Sequence, residues 1–269
     1  MVLLPDIQLA HYIDPASWAD AYKWIMYRKD ALHIQAVIGL GDNTNWGDPW
    51  EYESAQTGFE SMRDAGLKII PCYGNHDAPL ESFNTYFGAD FLTGSYYQGS
   101  KSGGGTENSY YFIDIGDDPY IVIILTCWPS LEVLTWAGAL LETYSEKSAI
   151  IVTHGYLVGT TRMGSGCFAC PPVGSPSGQD MWDLLFSQYE NVKFVFCGHR
   201  SAGSYMRSDA GVNGNIVHQM ISDFNDGANG AILTVLLFDR ATNKIQSRTY
   251  KPRDGSGWVD SEYLFDWYR

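Results

Sequence analysis

With 269 residues, 18% of them charged and 14% aromatic, the chain has the composition of a folded body with a substantial core, fitting one large α/β domain over 1–269 and no disordered tail. Its net charge of −14, with only 17 scattered basic residues, excludes general binding to nucleic-acid backbones, which requires clustered Lys and Arg. No apolar stretch reaches the roughly eighteen residues of a membrane span, and no basic segment precedes an apolar one at Met1. The chain is therefore expected to carry neither a span nor a signal peptide, whether or not it is part of a larger multidomain assembly; its compartment stays open.

Val2 to Leu4 reads as a short buried strand running into Asp6. Asp14-Pro15 then starts a helix, with Trp18, Ala21, Tyr22, Ile25 and Met26 at helical spacing. Ala36 to Leu40 is a second strand, ending at Gly41-Asp42. Asp48-Pro49 opens a second helix with Trp50, Ala55, Phe59 and Met62 on its apolar side and Gly66 as its stop. Leu67 to Cys72 is a third strand, leading into Gly74-Asn75-His76-Asp77. Strands alternating with helices predict right-handed crossovers and a parallel sheet.

Gly99 to Gly105 neither follows a buried strand nor opens a helix, so it reads as a loop and not as a phosphate cradle. Tyr110 to Ile115 and Tyr120 to Thr126 flank Gly116-Asp117-Asp118 as a β-hairpin, and a helix follows from Leu131 to about Tyr144. The strand Ala149 to Thr153 ends at His154. Gly159 to Pro176 is long enough for a lid over a site, and Ser177 with Asp180 starts another helix. Val192 to Cys197 runs into Gly198-His199. The runs Ile216 to Ile221, Ala231 to Phe238 and Lys244 to Tyr250 read as an antiparallel meander closing a second sheet. There is no internal repeat.

Of the five cysteines, Cys72, Cys127 and Cys197 lie in apolar runs and read as core residues. Cys167 and Cys170 form one Cys-x-x-Cys in a Gly- and Pro-rich loop, open to a local disulfide, free thiols or, with two further ligands, zinc.

Five strand ends thus converge on Asp6, Asp42, Asn75-His76-Asp77, His154 and His199. Asp, Asn and Gly are ordinary turn residues, but turns do not require histidine, and three of the six histidines fall just past strands. Carboxyl ends of strands in an open α/β sheet face one crevice, so these residues are expected to share a metal site.

In this order the blocks resemble the calcineurin-type metallophosphoesterase superfamily over nearly the whole chain. Pro5-Asp6-Ile7-Gln8 is similar to a branch with glutamine where most relatives have histidine, as are Trp136-Ala137, Thr153 to Leu157 and Gln219 to Phe224. The resemblance implies a four-layer α/β/β/α sandwich of two mixed sheets flanked by helices, with two divalent metals at the strand ends. It assigns Asp42 as the bridging ligand, Asn75, His154 and His199 to one ion, and Asp6 and Gln8 to the other. His76 would give a proton or hydrogen bond to the substrate oxygen, oriented by Asp77.

Two residues depart from the family's pattern, Gln8 and Ser201, and both fall on the same ion. The resulting oxygen-rich site suits Mn²⁺ or Mg²⁺, while Fe or Zn also suits the histidine-bearing site. His11 or His218 is a possible stand-in ligand. Arg200 and Arg162 are candidate phosphate contacts, and Trp46, Tyr73 and Tyr156 candidate stacking or packing rings. The implied activity is hydrolysis of a phosphorylated small molecule or a phosphodiester by a metal-bound hydroxide at a dinuclear site. The alternative is a noncatalytic structural or binding module that kept the fold while one metal site degenerated.

Overall fold

A computed structural model describes residues 1–8, 13–166, 172–224, 231–253 and 262–268. β1 (Val2–Leu4) leads to α1 (Pro15–Arg28), β2 (Ala36–Gly39), α2 (Pro49–Asp64) and β3 (Lys68–Ile70). A 3-10 turn over Asn75–Asp77 and the short α3 (Leu80–Tyr86) precede β4 (Tyr97–Ser100), β5 (Ser109–Ile115) and β6 (Asp118–Leu125). Then come α4 (Leu131–Thr143), β7 (Ser148–Thr153), the small hairpin β8 (Leu157–Val158) and β9 (Thr161–Arg162), and α5 (Gly178–Met181), which widens into a π turn over Trp182–Phe186. β10 (Val192–Cys197), β11 (Gly203–Ala210), β12 (Ile216–Asp223), β13 (Leu233–Asp239), β14 (Lys244–Tyr250) and β15 (Tyr263–Asp266) complete the order.

Among the described residues there are two large mixed sheets, ordered β15-β14-β13-β1-β2-β3 and β11-β12-β10-β7-β6-β5-β4. β1, β2 and β3 pair in parallel, as do β6, β7, β10 and β12. The period-two alternation of β6 and β7 produces the layering. Val122, Ile124, Ile150 and Val152 join a core shared with the first sheet and α1 and α2. Ile121, Ile123, Ala149 and Ile151 face the opposite way, toward Leu134, Ala137 and Leu141 of α4 and the turn at Leu185 and Phe186. The result is the expected four-layer sandwich. Each fully buried aliphatic or aromatic side chain in it contributes about 1.5–3 kcal/mol by leaving water.

Trp18, Ala21, Tyr22 and Ile25 are the buried face of α1, as their spacing predicts. On α2 the buried face is Glu51, Tyr52, Ala55, Gly58, Phe59 and Met62, whereas Trp50 is exposed. The expected C-terminal meander is a correction. β12 lies in the second sheet beside β10, while β13 pairs with β1 and extends the first. Apolar periodicity reports which face of a strand is buried but not which sheet the strand joins. β11 carries no apolar signal because Gly203–Ala210 is largely polar, as an edge strand can be. The Gly159–Pro176 segment begins with the β8–β9 hairpin, and Cys167 and Cys170 lie outside the described residues. No helix among the described residues is long and apolar enough to cross a membrane.

Candidate metal centre

Asp42 follows β2 in a left-handed backbone conformation (φ 49°), and His199 follows β10 in another (φ 82°). Such conformations cost an L-residue energy and persist where the surroundings dictate them. Here the chain must turn sharply at a strand end while aiming a side chain into the crevice. Gly74 is required by contact: a Cβ there would collide with the backbone and carboxylate of Asp42. The β2 and β3 loops can interlock only because that side chain is missing.

Asp42, His154 and His199 offer ligand atoms within 4.8 Å of one another, the expected core of the site. His154 is fully buried, and its Nδ1 lies 2.7 Å from the carbonyl of Leu40. An Nδ1–H donor to that carbonyl leaves the Nε2 lone pair facing the crevice, the usual way a protein fixes a metal-binding imidazole. Nε2 sits 3.1 Å from Asp42 Oδ2 yet has no hydrogen-bond partner, and Asn75 Oδ1 is likewise buried without one. Buried polar atoms are otherwise almost always satisfied. Two orphaned electron-pair donors beside a carboxylate and a second imidazole therefore fit a divalent cation.

The ion-free electrostatics agree. Burial alone would lower the His154 pKa, but the carboxylates of Asp42 and Asp6 outweigh it and raise it to about 10. Burial pushes Asp42 up, yet His154 and His76 hold it below the ordinary carboxylate range. A proton on His154 thus occupies the place a cation would take.

Asp6 is buried beside this group, its Oδ1 3.9 Å from His154 Nδ1, and it accepts the backbone N–H of His199 at 3.1 and 3.2 Å. Burial and the carboxylates of Asp223 and Asp42 drive its pKa well up. Gln8 is buried too, and the N–H groups of Ile7 and Gln8 both donate to the Asp42 carbonyl. Asp223, at the end of β12, accepts the N–H of Ser201 at 2.7 Å. It is an acid at a sixth strand end, absent from the set expected from sequence. The signal is present all the same, since Asp223 follows the apolar run Ile216 to Ile221 as Asp42 follows Ala36 to Leu40.

His76 donates its backbone N–H to Asp42 Oδ1 at 2.9 Å, which ties it to the centre. Its imidazole Nδ1 lies 2.8 Å from the carbonyl of Asn45. The expected orienting role of Asp77 needs correction. Asp77 Oδ1 accepts Thr44 N–H and Oγ1–H at 2.9 and 3.1 Å, and Oδ2 accepts Asn43 Nδ2 and Gly74 N–H, each at 2.9 Å. Three donors and a hydroxyl shared with the His76 carbonyl occupy the carboxylate, so Asp77 fastens the β2 loop to the β3 loop while the Asn45 carbonyl meets the imidazole.

Other candidates fall elsewhere. Tyr156 is fully buried, its ring edge against Phe186 and its hydroxyl donating to Gln219 Oε1 at 2.6 Å, which removes it from substrate contact. Arg162 is engaged with Tyr156, Asp209 and Gln219 and lies 4.0 Å over the Trp182 ring. His218 bonds Ser208 and the Asp266 carbonyl in mid-strand, opposite Phe194. His11 lies outside the described residues. Arg200 and Trp46 are exposed, and Tyr73 packs edge-on against Phe83.

The chain belongs to the calcineurin-like phosphoesterase family, whose model matches residues 2–200. Among solved structures its fold is similar to purple acid phosphatase PPD1 from yellow lupin (Lupinus luteus) seeds, at 14% identity and TM-score 0.55, covering 98% of this chain and 53% of that one. It is similar to GAP50, the anchor in the inner membrane complex of Plasmodium, at 12% identity and TM-score 0.56, covering 98% and 87%. A 5'-nucleotidase precursor from Thermus thermophilus aligns at 12% identity and TM-score 0.51, covering 91% and 48%. The chain spans about half the length of the lupin and Thermus proteins. No curated protein matches it.

Proposed function

We propose that residues 1–269 form one catalytic domain that hydrolyses a phosphomonoester or phosphodiester with the help of two divalent cations. The observation that carries this reading is the pair of buried, unpartnered donor atoms, His154 Nε2 and Asn75 Oδ1, beside Asp42 and His199 and next to His76. When bound, such ions polarise a phosphoryl oxygen and make water a competent nucleophile at neutral pH. Asn75, His154 and His199 would hold one cation and Asp6 with Gln8 the other, with Asp42 serving both; the oxygen donors of the second would favour Mn²⁺ or Mg²⁺ and the imidazole side would also suit Fe or Zn.

His76, with Nδ1–H held by the Asn45 carbonyl, gives a proton or hydrogen bond to the ester oxygen from its other ring nitrogen as the imidazolium. Arg200, exposed beside His199, pairs with a nonreacting phosphate oxygen. Purified chain with added Mn²⁺ is expected to cleave an activated aryl phosphomonoester or diester. His76→Ala is expected to lower kcat by about 10²–10⁴-fold while bound metal, measured by elemental analysis, stays constant. A rate that neither manganese nor this substitution changes would overturn the assignment.

A second reading, a binding or structural module with a degenerate metal site, draws on Gln8 and Ser201 and on the similarity to GAP50, which is named as an anchor. Metal stoichiometry separates the two: two ions per chain support hydrolysis, and none after manganese soaking supports the module.

A further inference from the structure

The structure points to Glu51 as the residue that orients His76, and we propose that it acts through the Asn45–Trp46 peptide group; this deepens the hydrolase reading and rests on it for its catalytic consequence. Glu51 is fully buried in the first turn of α2, and among the described residues it makes no ion pair. A carboxylate placed there without a cation needs strong donors. It receives three: the backbone N–H of Asn45 at 3.0 Å on Oε1, and those of Trp46 at 2.9 Å and Asp48 at 3.2 Å on Oε2.

Helix capping accounts for the bond to Asp48. It does not account for the other two, which reach back to residues before the cap. The Trp46 N–H and the Asn45 C=O belong to one peptide plane, and that carbonyl is the partner of His76 Nδ1 at 2.8 Å. Carboxylate, peptide group and imidazole therefore form a single hydrogen-bonded line. A negative charge on the N–H side polarises the carbonyl on the other, strengthening its hold on Nδ1–H. The line holds the ring by Nδ1–H, so that the other nitrogen, which accepts in the neutral ring and donates in the imidazolium, is kept in one direction.

The surrounding contacts keep the plane in place. Thr44 Oγ1–H is shared between the His76 carbonyl at 3.0 Å and Asp77 Oδ1 at 3.1 Å, and Gly47 (φ 73°) seats the loop so closely on the Ala78 carbonyl that a Cβ would collide with it. Glu51 is thus a positioning residue: it touches no substrate and works through the loop.

The test is Glu51→Gln, which keeps the shape and removes the charge. In protein labelled with ¹⁵N-histidine, the ring-nitrogen shifts of His76 are expected to move as the Nδ1–H bond to the Asn45 carbonyl weakens and the ring loses its single orientation. Turnover is expected to fall about tenfold more for an aryl phosphate with a poor leaving group than for an activated one, because only the former needs an aligned proton donor. Glu51→Gln combined with His76→Ala is expected to be no slower than His76→Ala alone. Unchanged His76 shifts, or additive losses in the double variant, would overturn the proposal. Should Glu51→Gln not fold, Gly47→Ala displaces the same loop without touching the buried acid, and unchanged His76 shifts there overturn it equally. The NMR reading needs no turnover, so a chain that hydrolyses nothing would sink the hydrolase reading while still deciding this one.

Discussion

The two sides of the strand-end crevice are built differently. Around Asp42, His154 and His199 the donors converge within 4.8 Å, and two of the side's atoms, on His154 and Asn75, are buried without partners. Around Asp6 and Asp223 the carboxylates are occupied, one by the N–H of His199 and the other by the N–H of Ser201. The first side is arranged for a cation. The second also serves as a backbone clamp for the turn after β10, so its acids stabilise the loop as well as the crevice. Shape on the second side thus rests on amide-to-carboxylate bonds and needs no imidazole.

The sharpest way to break this contrast is to compare Asp42→Asn with Asp6→Asn. The first is expected to lose bound metal altogether, with turnover falling beyond the roughly hundredfold that outer-shell changes cost. The second is expected to lose one ion, and equal stoichiometries for the two variants would erase the distinction. Next in size is Asp77→Ala, which strands three donors between the two loops and is expected to cost about 3 kcal/mol in chemical denaturation.

Acid–base behaviour sharpens the same point. His154 is raised from 6.5 to about 10, so the stability it lends the ion-free chain is complete below pH 6.5 and is lost as pH rises through about 10. Asp6, also pushed up, acts with the same sign, while Asp42, held down, has the opposite sign but acts only below the ordinary carboxylate range, where its stability is lost as pH falls. Thermal unfolding in chelator is expected at lower temperature at about pH 9.5 than at about pH 7, and Mn²⁺, which replaces the proton, is expected to remove that drop. The smallest effect belongs to Arg162→Ala, remote from the donors: about 1–2 kcal/mol of stability lost and kcat unchanged.

Much of the centre is legible in the residue order because metal chemistry recruits Asp, Asn and His at strand ends, and strands announce their ends by apolar runs. β1 and β10 match their expected limits residue for residue. Asp77 misleads for a physical reason: a carboxylate next to a histidine looks like its partner, yet its oxygens are already claimed by Asn43, Thr44 and Gly74. Glu51 is invisible in sequence since an acid three residues past a cap normally serves the cap. The sheet change between β12 and β13 leaves no trace in periodicity, because both strands are buried on the faces that periodicity reads.

The left-handed backbone at Asp42 and His199 carries a consequence for engineering. Glycine at either position would relax the main chain and remove the very side chain on which chemistry depends. At Asp42 the relief would be offset by stranding the His76 N–H and the buried His154, so backbone strain and side-chain bonding pull in opposite directions, and directed evolution of this scaffold has to screen for turnover as well as heat resistance.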